Sequence, residues 1–126
     1  MEKKIICTPT APPPIGPYNQ AILQGNMLFI SGQICLDPQN GELKNKDFKE
    51  ETEQVMNNLQ AILVEAGFGF SDVVKATIFI TDMKRFSEVN EVYGKYFDQN
   101  FPARETVEVA ALPKFVNVEI SMIALK

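Results

Sequence analysis

The chain has no histidine and only two cysteines among its 126 residues. Without histidine the commonest general base is missing, so acid–base chemistry falls to carboxylates, tyrosines or the backbone. Cys7 and Cys35 stand far apart in the sequence. Neither a zinc site of the usual Cys and His spacing nor a Cys/His nucleophile pair can be assembled from them, and both read as small buried hydrophobes. Positive charge is also in short supply. Twelve Lys and Arg against sixteen Asp and Glu leave a formal charge of −4, which gives little electrostatic footprint for nucleic acid. No apolar run is long enough to span a bilayer. Met1 to Lys4 is charged and leads into Ile5-Ile6-Cys7 and then prolines, with no apolar leader, so a cytoplasmic protein is expected. Nucleotide-binding glycine motifs are missing too, since Gly67-Phe68-Gly69 follows a helical pattern instead of a strand. No internal repeat is present.

What remains is the length and apolar content of one globular domain over residues 1–126. Lys3 to Thr8 reads as a short strand, followed by a stiff loop with Pro9, Pro12-Pro13-Pro14 and Ile15-Gly16-Pro17-Tyr18. Tyr18 is either a packing aromatic or a phenol that the loop displays over a pocket. Ala21 to Gln24, the Gly25-Asn26 turn and Met27 to Ile34 predict a hairpin. Its second strand places Leu28, Ile30, Gly32 and Ile34 on one face and Met27, Phe29, Ser31 and Gln33 on the other. Gly32, inside the strand pattern, marks a bulge or a close backbone approach.

Asp47 with Glu50 three residues later, then Val55, Met56, Leu59, Ile62, Leu63 and Ala66 at helical spacing before Gly67, predict a helix. Val73 to Thr81 predicts a strand with Val74, Ala76, Ile78 and Ile80 towards the helix. A second helix is expected from Phe86 to Asp98, burying Phe86, Val89, Tyr93 and Phe97. Asn90 on it is either a local hydrogen-bonding group or a site residue.

The stretch Pro102-Ala103-Arg104-Glu105-Thr106-Val107-Glu108-Val109 carries the best candidate for a working charge. A period of two places Val107 and Val109 on one face and Arg104, Thr106 and Glu108 on the other, which is expected to point away from the helix-covered core. Arg104 is then either a solvated strand-end arginine or a planar fork that grips a carboxylate from two sides. The last strand, Val116 to Leu125, places Glu119, Ser121, Ile123 and Leu125 on that far face as well. Together with Phe29, Phe79, Ser31, Thr77, Thr106 and Arg104, these make a face too apolar for bulk water. No helix is left to cover it, so a symmetric oligomer is expected.

Ile15-Gly16-Pro17-Tyr18, Ile30-Ser31-Gly32-Gln33, Val89-Asn90, Pro102-Ala103-Arg104 and Val118-Glu119-Ile120 together resemble the RidA (YjgF) family of reactive-intermediate deaminases over nearly the whole chain. The resemblance implies a chorismate-mutase-like α+β subunit, a mixed six-stranded sheet with two helices on one face, assembled as a homotrimer with active sites at subunit interfaces. It implies hydrolysis of 2-imino acids and their enamine tautomers, such as 2-aminoacrylate and 2-iminobutanoate, to 2-keto acids and ammonia, without metal or organic cofactor. Carried over by position, Arg104 matches the arginine that holds the substrate carboxylate, and Glu119 the carboxylate that positions or activates water. Tyr18, Ser31, Gly32, Asn90 and Thr106 match positions that line the pocket. Thr106 departs from the cysteine of many relatives, and Glu105 and Asn19 from frequent serines, so thiol chemistry is ruled out at Thr106. Two other readings stay open: a keto-acid-sensing trimer without turnover, and an endoribonuclease or translation inhibitor, which the acidic, histidine-free composition disfavours.

Overall fold

The computed structural model describes residues 2–126; Met1, the first residue of the expected 1–126 domain, lies outside them. The elements run β1 (Lys3–Ile6), β2 (Ala21–Gln24), β3 (Met27–Gln33), α1 (Phe48–Glu65), β4 (Val73–Ile80), α2 (Phe86–Gly94), β5 (Ala103–Glu108) and β6 (Val118–Leu125), with single 3₁₀ turns at Phe70–Asp72, Met83–Arg85 and Pro113–Phe115. The six strands form one sheet in the order β1-β2-β3-β6-β4-β5. Only β4 and β5 are parallel, as the helical crossover through α2 requires. β6 lies antiparallel to both β3 and β4, so those two strands run the same way with α1 as their crossover. This is the expected mixed six-stranded sheet with two helices.

Helix α1 starts where the sequence signals it. Asp47 Oδ1 accepts the Glu50 N–H at 2.8 Å, which satisfies a donor that the first turn leaves open, and Glu50 Oε1 accepts the Lys46 N–H at 2.9 Å just before the cap. Its stripe of Val55, Met56, Leu59, Ile62 and Leu63 is wholly buried against Leu28, Ile78, Ile80, Val118 and Ile120 of the sheet. At roughly 1.5–3 kcal/mol per fully buried aliphatic side chain, this layer dominates the stability of the fold. Helix α2 ends at Gly94, not Asp98. Phe97 is nonetheless buried, in an aromatic cluster with Phe70, Tyr93 and Phe101 at centroid separations of 4.9–6.1 Å. Among the described residues no helix is long and apolar enough to cross a membrane.

Three strand faces differ from the expected alternation. Ile30 pairs with Met122 but Gln33 pairs with Ile120, so Ser31 and Gly32 together oppose one residue of β6. This bulge carries Gln33 onto the core side, where it is buried. A second shift lies between Val73, opposite Ala124, and Lys75, opposite Ile123. Val73 is buried there and Val74 is exposed, the reverse of the simple pattern. The third is the whole of β5. Arg104, Thr106 and Glu108 pair with Ala76, Ile78 and Ile80, all fully buried on the helix side. They therefore face α2 and not the open side. Glu105 faces the open side, where it meets Lys75 at 3.2 Å and the Thr77 hydroxyl at 2.6 Å. Cys7 is exposed, whereas Cys35 is buried as expected.

The open face still carries exposed apolar side chains. Phe29, Val107 and Leu125 are each 42% exposed, beside half-buried Phe79 and Ile123.

Candidate active site

The proline-rich loop cannot join a ladder, and Gln20 ties it down instead. The Gln20 side chain accepts the Thr8 N–H at 2.7 Å and donates to the carbonyls of Thr8, Ala11 and Pro12 at 2.8–3.3 Å. With those groups satisfied the loop is held against the sheet edge, and Ile15 and Tyr18 project from it, both exposed. The Tyr18 hydroxyl accepts the Ile15 N–H at 3.3 Å. Ser31, at the start of the bulge, donates its hydroxyl to the Asn19 carbonyl at 2.6 Å and its N–H to the Gln20 carbonyl at 2.9 Å.

These segments and the start of β6 enclose a cleft of about 340 Å³. Ser31, Gly32, Gln33 and Glu119 supply its polar lining, and Pro12, Pro13, Ile15, Tyr18, Ile34 and Pro113 its apolar walls. Glu119 sits on the open face of the sheet opposite Phe79. Its carboxylate packs against Gly32 so closely that a Cβ built there would lie 2.7 Å from Glu119 Cδ and 2.9 Å from Cγ. Burial pushes the Glu119 carboxyl above its ordinary value, because loss of water disfavours the charged form. Such a carboxyl is suited to take a proton and return it.

Arg104 occupies a different place. Its Nη1 donates to Asn90 Oδ1 at 2.8 Å, and its Cζ lies 5.3 Å from the Phe86 ring centroid and 5.1 Å from that of Tyr93. Two aromatic faces and one amide thus fix the guanidinium plane. Among the described residues no carboxylate is paired with it, so donors remain for an anion from outside the protomer. Asn90, Tyr93, Gly94, Phe101, Pro102 and Arg104 line a pocket of about 350 Å³. Thr106 Oγ1 and Tyr93 Oη are buried without hydrogen-bond partners among the described residues. Burial pushes the Tyr93 phenol up, against the opposing pull of the Arg104 charge.

The seven residues expected at the site thus fall into two groups. Tyr18, Ser31, Gly32 and Glu119 meet in the first cleft. Asn90 and Arg104 meet at the second, with Thr106 on the same face of β5. Because Glu119 and Arg104 lie on opposite faces of one sheet, a single protomer does not bring them together. Sequence reading misses Phe86 and Tyr93 as supports of Arg104, although it marks both as apolar positions of α2. It also misses Gln20, for which a lone glutamine before a strand gives no signal.

The family model described as Endoribonuclease L-PSP matches residues 8–126. A RutC family protein of Pyrococcus horikoshii is 52% identical over 124 residues, which span 98% of each chain. Human 2-iminobutanoate/2-iminopropanoate deaminase is 44% identical over 124 residues, 98% of this chain and 90% of the human one. The crystal structure of E. coli TdcF with bound serine superposes with a TM-score of 0.93 at 44% identity, over 98% of both chains.

Proposed function

The chain belongs to the Endoribonuclease L-PSP family, which is also the YjgF/RidA family, and from that membership we propose that it hydrolyses 2-imino acids to 2-keto acids and ammonia in the cytoplasm. The observation that carries the reading is the Arg104 guanidinium, which has no carboxylate partner among the described residues, lies over the rings of Phe86 and Tyr93 and is hydrogen-bonded to Asn90. It has the form of a receptor for a small carboxylate. The human relative's name and the serine in the E. coli relative agree with a ligand of that kind.

The proposed mechanism needs both half-sites. Arg104 grips the substrate carboxylate with its free edge and so orients the planar imine carbon. Glu119, with its raised proton affinity, takes a proton from a water as the water's oxygen bonds to that carbon. That proton passes to the imine nitrogen to give a carbinolamine, and Glu119 then takes the hydroxyl proton and hands it to the amine as the C–N bond breaks and the C=O bond forms, so that ammonia leaves. Tyr18, Ser31 and Gly32 line the side of the cleft next to Glu119. Thr106 carries no thiol, and none is used. Since one protomer keeps Arg104 and Glu119 on opposite sheet faces, we propose a homotrimer of 1–126 domains in which the exposed apolar face is covered and each site draws Arg104 and Glu119 from different copies.

The test is keto-acid and ammonia formation from freshly generated 2-iminobutanoate by the purified protein, with its mass in solution. Turnover by a trimer supports the reading. Keto-acid binding without turnover points to the sensor alternative. Cleavage of RNA, which the net charge of −4 disfavours, would overturn both.

A further inference from the structure

Helix α1 holds both backbone segments that flank the Glu119 cleft, and it does so with two polar side chains on its buried stripe. Glu51 is 0% exposed. Its Oε2 accepts the N–H groups of Asn117 at 2.6 Å and Val118 at 2.7 Å, and its Oε1 accepts Asn117 Nδ2 at 3.1 Å. Val118 immediately precedes Glu119. The other side of Asn117 is fixed as well: its carbonyl accepts the Thr81 N–H at 3.0 Å, and its Oδ1 the Thr81 hydroxyl at 2.9 Å.

Two turns further along the same stripe, Asn58 is equally buried. Its Nδ2 donates to the carbonyls of Ile34 at 3.0 Å and Leu36 at 2.9 Å, and both residues line the cleft a short way beyond Gly32. Gln54 Nε2 donates to Asn58 Oδ1 at 2.9 Å, which fixes the amide with its donors towards those carbonyls. An acceptor thus meets the donors of one wall, and a donor meets the acceptors of the other. Packing a helix on a sheet needs only an apolar stripe, and a buried polar group costs stability unless it is bonded. Two such groups, matched in sense to the two walls of one cleft, have a more specific consequence.

We propose that Glu51 and Asn58 are positioning residues for Glu119, setting the separation between the β6 wall that carries its carboxylate and the β3 wall whose Gly32 it lies across. The proposal rests on the imine-hydrolase reading for its kinetic readout and on geometry alone for its spectroscopic one. Glu119 packs closely on Gly32 on one side and lines the cleft on the other, so a small spreading of the walls opens the packed side and admits more water around the carboxylate. That weakens the desolvation that raises its proton affinity and moves the water it activates out of line. Around Glu119 lie Gly32 of β3, Phe79 of β4, and Tyr18 and Pro113 of the flanking loops. Tyr18 is the other titratable side chain lining the cleft, and none of the ion pairs among the described residues involves Glu119.

Three variants of the assembled full-length protein test this: Glu51→Gln, Glu51→Asp and Asn58→Ala. Glutamine keeps an oxygen able to accept both backbone amides and gives up only the contact of the second oxygen to Asn117 Nδ2, whereas aspartate keeps the charge but falls one methylene short of all three donors. The readouts are kcat and KM for 2-iminobutanoate, and the Glu119 titration followed by ¹³C-carboxyl NMR, its signal identified by loss in Glu119→Gln. Glu51→Gln is expected to hold kcat within about threefold and leave the titration in place. Glu51→Asp is expected to lower kcat about tenfold or more with KM within about threefold, since Arg104 holds the carboxylate elsewhere, and to lower the Glu119 pKa. Asn58→Ala carries the same expectation from the other wall, and decides the matter if Glu51→Asp does not fold. A folded Glu51→Asp with unchanged kcat and unchanged titration overturns the proposal, as does a Glu51→Gln that loses as much as Glu51→Asp. If wild type turns over no imine while the titration moves as expected, the hydrolase reading fails and the positioning role stands.

Discussion

The carboxylate of Glu119 lies across the Cα of Gly32, in the space where any other residue would carry its Cβ. The glycine needs no positive φ to explain it: it sits in a bulge, and what it provides is close approach. The group that would collide is the mobile end of a glutamate, so a substitution here separates folding from function.

Gly32→Ala is therefore expected to leave the melting temperature within a few degrees, because Glu119 can swing aside, and to lower kcat at least tenfold because it has swung aside. Thermal melting and steady-state kinetics on the same preparation check both halves. Equal activity in a stable Gly32→Ala protein would mean that Glu119 does not work from the position seen here.

Arg104→Lys keeps the charge but loses the planar fork and the stacking between Phe86 and Tyr93. It is expected to lose most of kcat/KM for 2-iminobutanoate. Because Arg104 faces α2 and bonds Asn90, truncation to alanine also costs some stability, about 0.5–1 kcal/mol for each lost cation–π contact. Kinetics and denaturant unfolding of both variants measure the two effects.

Glu119 gives a pH signature. Its folded pKa is raised by burial above its unfolded value of 4.5, so between those two values the native state binds more proton than the unfolded chain, and stability falls as pH rises through that window. Above the raised pKa the cost is present in full; below pH 4.5 it is gone. Glu119→Gln removes an ionising group, so its melting temperature is expected to exceed that of wild type at pH 7 and to converge on it towards pH 4, while imine hydrolysis is lost. A Glu119→Gln protein less stable than wild type at pH 7 would contradict this assignment.

The two cysteines are expected to differ in reactivity. Burial, with Glu51 alongside, pushes the Cys35 thiol up to about 12, which leaves almost no thiolate at neutral pH, whereas Cys7 is exposed. Iodoacetamide at pH 8 is expected to add one label to the native protein, at Cys7, and two after denaturation. Peptide mass spectrometry reads the positions.

The parts of the fold legible in the sequence are those where two signals agree. Asp47 and Glu50 mark the start of α1, the helical spacing from Val55 marks its buried stripe, and both hold. Gly32 marks the bulge on β3, whereas nothing in Val73-Val74 marks the one on β4. The side that Arg104 faces was not legible for a definite reason. A period of two tells which residues share a face but not which face it is, and on edge strand β5 the apolar Val107 lies on the open side. Arg104 thus belongs with α2, and its supports Phe86 and Tyr93 read in sequence only as core positions. Glu51 and Asn58 lie seven residues apart in the apolar stripe of α1, a polar interruption that periodicity alone treats as noise.

Arg104 and Glu119, on opposite faces of one protomer, are expected to act together only across a subunit boundary. The most direct measurement mixes Arg104→Ala with Glu119→Gln subunits, each inactive alone, under conditions that exchange protomers, with native mass spectrometry to confirm mixed trimers. In a trimer with one site per boundary, random mixing in equal amounts places an intact Arg104 against an intact Glu119 at about a quarter of the sites. Recovery of about a quarter of wild-type imine hydrolysis is expected; mixed trimers that stay inactive would mean that Arg104 and Glu119 of different subunits do not form one site.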